Sequence, residues 1–177
     1  IPLIFDEITS GFRMNCGGVH MHLGVMPDLA IFGKALANGY PISAIIGKKY
    51  IMDSAQDTFI SSTFWSERIG YTAALSNIKK FEEKKVHLGL IKYGKLINEC
   101  WYKLSKKYEI GIEINGIEPL TTLKFKGKNS LILQTLYAKF MLEQGFLVGN
   151  AVYTTFAYND SIINKFFNAS KKSFKKI

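Results

Sequence analysis

The sequence predicts an α/β chain: part of a mostly parallel sheet with helices, followed by a small α+β domain. Three observations carry that expectation. Apolar segments at 2–5, 29–32 and 43–47 are each bounded by Gly, Pro or Asp, as the buried strands of a parallel sheet are. Leu90, Gly94, Ile97, Trp101, Leu104 and Tyr108 then recur at three- and four-residue steps, the apolar stripe of one long helix from about His87 to Lys107. Beyond residue 110, short strand-like runs alternate with helical ones.

Taken in order, Pro2 to Phe5 is a strand that ends abruptly in two carboxylates, Asp6 and Glu7. Leu29 to Phe32 is a second strand, followed by Gly33 and Lys34, and residues 43–47 form a third. Phe59 to Thr63 reads as a further strand, and the pattern becomes helical from Ser66 to about Glu83. After the long helix, residues 110–114 and 120–125 are strand-like, with turn signals at Gly116 and Pro119. Leu133, Leu136, Tyr137 and Phe140 mark a helix that stops near Gly145, a natural C-terminal cap. Phe146 to Val148 returns as a strand, and Ile163, Phe166, Phe167, Ser170 and Phe174 give the last helix its buried face. The expected division is a partial large domain over 1–85, a linking helix over 86–108 and a small α+β domain over 109–177.

Composition narrows the classes. At 177 residues and 47% hydrophobic content the chain can bury a core, and no apolar run approaches the ~20 residues that span a bilayer. The net charge of +9 comes mainly from scattered lysines without any accompanying nucleic-acid-binding motif, so no nucleic-acid partner and no membrane are expected. Cys16 and Cys100 lie far apart without metal spacing, which argues against a disulfide scaffold and for a cytoplasmic location. His20-Met21-His22 lacks an Asp, Glu or Cys partner at ligand spacing, so no metal is expected.

Chemistry concentrates at two strand ends. Lys34 follows an apolar run and a glycine, with no charge run around it, and is placed to lose solvation. A desolvated lysine has a lowered pKa and can act as an amine nucleophile toward a carbonyl. Ligands of open parallel sheets bind at the carboxyl ends of strands, where this chain offers one amine and one acid, Asp6. Singly, each has a plainer explanation: a lysine after a glycine is usually solvated, and an Asp-Glu pair usually just starts a loop. Their order and spacing together favour a site.

Asp6-Glu7-Ile8-Thr9-Ser10-Gly11-Phe12-Arg13, then Gly17-Gly18, Gly24-Val25-Met26-Pro27-Asp28-Leu29 and Gly33-Lys34, resemble the signature of class III aminotransferases, in particular the glutamate-1-semialdehyde aminomutase-like branch. Ser62-Thr63-Phe64, then Gly145-Phe146-Leu147-Val148-Gly149-Asn150 and Phe156-Ala157-Tyr158-Asn159-Asp160, extend the resemblance over nearly the whole chain. It implies a fold-type I enzyme dependent on pyridoxal 5′-phosphate (PLP), with the chain supplying the C-terminal part of the PLP-binding large domain and the small domain. Lys34 would hold PLP as a Schiff base and shuttle protons, and Asp6 would pair with the pyridinium nitrogen. Ile8 would pack on one ring face, and Thr63 would bind the cofactor phosphate of the neighbouring subunit, implying a homodimer with shared sites. Glu7 and Arg13 belong to the motif without an assigned role.

The family's phosphate-cradling turn and stacking aromatic residue belong to an earlier half. The chain is therefore expected to be a C-terminal fragment of a longer enzyme, inactive alone. The resemblance implies a small amino or keto substrate. An acidic residue expected near the substrate falls, in this alignment, near Asn150, which leaves aminomutase and transaminase both open. A non-catalytic structural or interaction remnant of such an enzyme is the alternative reading.

Overall fold

A computed structural model describes all residues, 1–177, in two compact units, Ile1–Leu88 and Gly89–Ile177. In the first, β1 (Ile4–Asp6), β2 (Leu29–Phe32) and β3 (Ala44–Gly47) form a sheet in the order β1-β2-β3. A short helical turn, α1 (Val19–His22), lies between β1 and β2, and another, α2 (Lys49–Met52), follows β3. Strands β1 and β2 run parallel, with Asp6 opposite Ile31, but β2 and β3 are antiparallel, with Phe32 opposite Ala44. The mostly parallel sheet expected over these residues is therefore mixed. A parallel return needs a crossover of a dozen or more residues, and residues 33–43 are too few to build one.

Burial departs from the sequence reading as well. Leu3 and Ile4 are 45% and 53% exposed, and Ile45 and Ile46 are 55% exposed each. Strand β1 has a single neighbour, so its apolar residues are not enclosed as a buried strand's would be. Residues 59–63, expected as a strand, are irregular and exposed. The helix expected from Ser66 is α3 (Arg68–Glu83), started by the Glu67 carboxylate, which accepts from the N–H groups of Ile69 and Gly70. Its Ala74 and Phe81 join the core of this unit, where Phe12 packs on Phe32 and Phe81 at centroid distances of 5.7 and 6.1 Å.

Helix α4 (Val86–Tyr108) begins in the first unit and continues into the second. There β4 (Ile112–Ile117), β5 (Leu120–Phe125) and β6 (Ala151–Tyr153) form an antiparallel sheet in that order. Helix α5 (Ser130–Glu143) packs on β5 and on α6 (Asp160–Lys176). The predicted strand at 146–148 is not formed. Phe146 N–H still closes the end of α5 on the Met141 carbonyl, and pairing with β5 starts only after the Leu123 N–H reaches Asn150 O. The core gathers Ile97, Trp101, Phe125, Tyr137, Phe166 and Phe174. Inside it Trp101 Nε1 donates to Tyr137 Oη at 2.9 Å, and Ser170 Oγ lies 3.1 Å from the same hydroxyl. Burial pushes the Tyr137 hydroxyl up to about 12, so it stays protonated and the relay stays neutral. No helix is long and apolar enough to cross a membrane.

Candidate active site

Parallel pairing brings the carboxyl ends of β1 and β2 side by side, and the Glu7 N–H donates to Ile31 O at 2.8 Å just beyond the ladder. From these two ends project Asp6 and, three residues past Ile31, Lys34. Lys34 Nζ donates to Thr9 Oγ1 at 2.6 Å, so the amine reaches the loop that Asp6 begins. Asp6 is exposed and its Oδ1 accepts from the Ile8 N–H at 3.1 Å, leaving the second oxygen available to a ligand. Ile8 is half-buried against the residue before the lysine: a Cβ at Gly33 would stand 3.5 Å from Ile8 Cγ2. Asp6 thus ends β1, Ile8 lies on the loop after it, and Lys34, just past β2, reaches that loop through Thr9.

One expectation needs correction. Lys34 is exposed, not desolvated, because nothing in this chain covers the edge onto which it opens. Its backbone is left-handed, with φ +43, a conformation that costs a residue with a Cβ roughly 1–2 kcal/mol. Such conformations persist only where the surroundings fix them, and they gather at functional sites. The amide of Asn77, on α3, donates to the carbonyls of Ala35 and Leu36 at 2.7 and 3.1 Å and ties down the turn that Lys34 opens.

Glu7, without a role from sequence, is 1% exposed and organises the loop beneath. Its Oε1 lies 3.0 Å from both the His20 N–H and His20 Nδ1, and its Oε2 accepts from Ser10 Oγ. Burial alone would raise this carboxyl, but the hydrogen bonds from Ser10 and from the His20 and Val19 N–H groups outweigh it and hold the group below its ordinary value. The approach requires Gly18, since a Cβ there would fall 2.3 Å from His20 Nδ1 and 2.7 Å from Glu7 Oε1. His20 thus has the acidic partner that sequence spacing did not disclose. Arg13 Nε donates to Thr9 O at 2.6 Å, so both unassigned motif residues hold the loop that carries Thr9.

Asp28, of the Pro-Asp-Leu segment, fastens β1 to the sheet. Its Oδ2 accepts from the Leu3 N–H at 2.7 Å, and its Oδ1 from Lys48 Nζ at 2.8 Å and Tyr50 Oη at 2.9 Å. The bond from Lys48 first, then those from Leu3 and Tyr50, lower its carboxyl to about 2. A carboxyl held below its unfolded value contributes stability that is present above the unfolded pKa of 3.8 and is lost as pH falls toward about 2. Thermal unfolding followed from pH 5 to pH 2 is expected to show that loss in the wild type and a flatter profile in Asp28→Asn. Identical profiles would show that the carboxylate is idle.

The remaining predicted residues lie elsewhere. Thr63 is exposed in a turn with no contact to Lys34; its neighbours Ser62 and Phe64 line a cleft of about 450 Å³ with Pro41, Ile42 and Tyr71. Asn150 belongs to the second unit, exposed, with its carbonyl engaged by the Leu123 N–H at 2.7 Å. Sequence reasoning missed Thr9 and Asn77. Thr9 was visible only as one letter of a motif. Asn77 carried a faint signal, a poor helix former inside a helix.

The first unit is α/β, with a carboxylate at the end of one of two paired strands and an amine just beyond the end of the other, and comparison with known proteins gives the family of the chain. The family model described as aminotransferase class-III matches residues 1–159, and the chain belongs to that family. It is 29% identical over 194 residues to a glutamate-1-semialdehyde 2,1-aminomutase of Methanococcus maripaludis, aligning over 100% of its own length and 45% of that protein's. A 3-aminobutyryl-CoA aminotransferase of Cloacimonas acidaminovorans is 37% identical over 125 residues, 70% of this chain and 30% of that protein. Among solved structures, the PLP internal aldimine form of the Sphingopyxis sp. MTA144 FumI protein superimposes with a TM-score of 0.93 at 25% identity, covering 99% of this chain and 43% of that one. An omega-transaminase from Sphaerobacter thermophilus, at TM-score 0.86 and 19% identity, shares the fold. The chain thus spans about half the length of the relatives that match all of it.

Proposed function

We propose that this chain supplies the covalent lysine and the ring-nitrogen carboxylate of a PLP-dependent enzyme that transfers amino groups. The observation that carries the proposal is the meeting of Lys34 Nζ with Thr9 Oγ1, at 2.6 Å, on the loop that starts at Asp6. The residues fit the cofactor by their chemistry: a primary amine for its aldehyde, a carboxylate for its heterocyclic nitrogen and an aliphatic Ile8 side chain beside them for its ring. When bound, PLP supplies an electron sink for the carbon bearing the amino group. Lys34 would hold the cofactor through its aldehyde, and its Nζ, when free, would hold and move a proton at the substrate carbon. Asp6 would hold the ring nitrogen through its carboxylate. Thr9 Oγ1 accepts from the lysine and orients it.

Thr63, in its exposed turn, fits a phosphate contact to a neighbouring copy in a homodimer, and Asn150 is the position that the family resemblance assigns to substrate. The donor is a small amino compound and the acceptor a small keto or aldehyde compound.

The test uses the full-length gene product incubated with PLP, reduced with borohydride and digested. A pyridoxyl group is expected on Lys34. Its absence there, with label on other lysines or on none, would leave a non-catalytic relative as the better description. A requirement for a separate amino donor then separates a transaminase from an aminomutase, which needs none.

A further inference from the structure

Lys34 keeps a left-handed backbone, φ +43, at the head of a three-residue turn, Lys34–Leu36, which is too short to satisfy its own carbonyls. The Lys34 carbonyl is taken by the Asn38 N–H at 3.0 Å. The next two, of Ala35 and Leu36, are both taken by Asn77 Nδ2, at 2.7 and 3.1 Å, from a helix more than forty residues away. Asn77 stands on the core side of α3, three residues after buried Ala74 and four before buried Phe81, whose ring packs on Phe12. The amide is therefore carried by a helix anchored in the core, and its two N–H groups meet two carbonyls as a two-pronged clamp.

We infer that Asn77 is a positioning residue for Lys34. Its amide holds the turn in the one backbone conformation that sends the lysine toward Thr9 and the Asp6 strand end. The inference rests on the reading of Lys34 as the cofactor lysine. It extends that reading to a residue on a separate helix, α3. Asparagine disfavours helix interiors, where alanine is the best former. A residue that weakens its own helix while bonding two carbonyls of the lysine turn acts on the turn.

The experiment compares wild type, Asn77→Ala and Asn77→Asp in the full-length gene product. The readout is the rate at which borohydride-trappable pyridoxyl accumulates on Lys34 at limiting PLP, with the exposed lysines as internal references. Asn77→Ala favours the helix and removes both bonds; Asn77→Asp keeps the shape and removes the donors. Both are expected to slow trapping on Lys34 about five- to tenfold, the lower end of what two lost hydrogen bonds are worth, while the reference lysines and the far-ultraviolet dichroism stay unchanged. Wild-type trapping rates in either folded variant overturn the inference. So does loss of folding in both, which would make Asn77 a scaffold residue. Absence of label on Lys34 in the wild type overturns the functional reading itself, a distinct result.

Discussion

Lys34→Ala is expected to abolish turnover in the full-length gene product and to abolish borohydride-trappable cofactor with it. Two losses combine. The alanine variant has no amine to hold the aldehyde and no base at the carbon where the proton moves. The second alone is worth ~10²–10⁴-fold in rate. Lys34→Arg should be as inactive, because guanidinium keeps the charge but stays protonated and cannot condense with a carbonyl. That pair of variants separates a covalent role from a merely electrostatic one. Lys48, the next lysine in the chain, does not substitute, since Asp28 Oδ1 holds its Nζ at 2.8 Å beyond the far end of β3. A small exogenous amine should restore part of the proton transfer in Lys34→Ala. Wild-type turnover in either variant removes Lys34, and with it the functional reading.

What the sequence disclosed, and what it hid, divides by the range of the interaction. The spacing of apolar residues gave α4 almost to the residue, because a stripe at three- and four-residue steps needs no distant partner to be read. The parallel pairing of β1 with β2, which sets their carboxyl ends side by side, was legible for a similar reason: both are short apolar runs with turn residues at their ends. The Glu7–His20 bond was not, because it depends on Gly18 leaving room for the carboxylate within a turn that no periodicity announces. Nor was the clamp of Asn77 on the lysine turn. Apolar composition suggested burial for β1 and for Lys34 after β2, yet burial is set by what lies on the other side of a strand, and one segment cannot report that. The misplaced strand at 146–148 has a different cause. Phe146 and Val148 do pack against the core, but the backbone is still completing the end of α5 there, so the hydrophobic alternation ends three residues before strand pairing begins at Ala151.

Gly94→Ala should destabilise the second unit, because α4 has no room for a methyl group there. A Cβ at Gly94 would fall 1.8 Å from Glu118 O and 2.4 Å from its carbon, backbone atoms of the turn between β4 and β5. That turn cannot move aside freely. Ile117 pairs with Leu120 across it, the Thr154 N–H donates to Pro119 O at 3.0 Å, and Thr154 Oγ1 bonds Leu90 O on the same helix at 3.1 Å. Helix propensity pulls the other way, favouring alanine over glycine by about 1 kcal/mol. Overpacking costs ~1–3 kcal/mol where side chains can adjust, and here the obstacle is backbone on both sides, so the clash wins. A net loss of about 2–3 kcal/mol would lower the unfolding midpoint by roughly 5–10 °C in a chain of this size. Gly89→Ala is the matched control, five residues earlier on the same helix, where a Cβ meets nothing within 4 Å. It should raise the midpoint slightly, by the propensity difference alone. Should both variants melt together, the close approach of helix and turn is not what the second unit depends on.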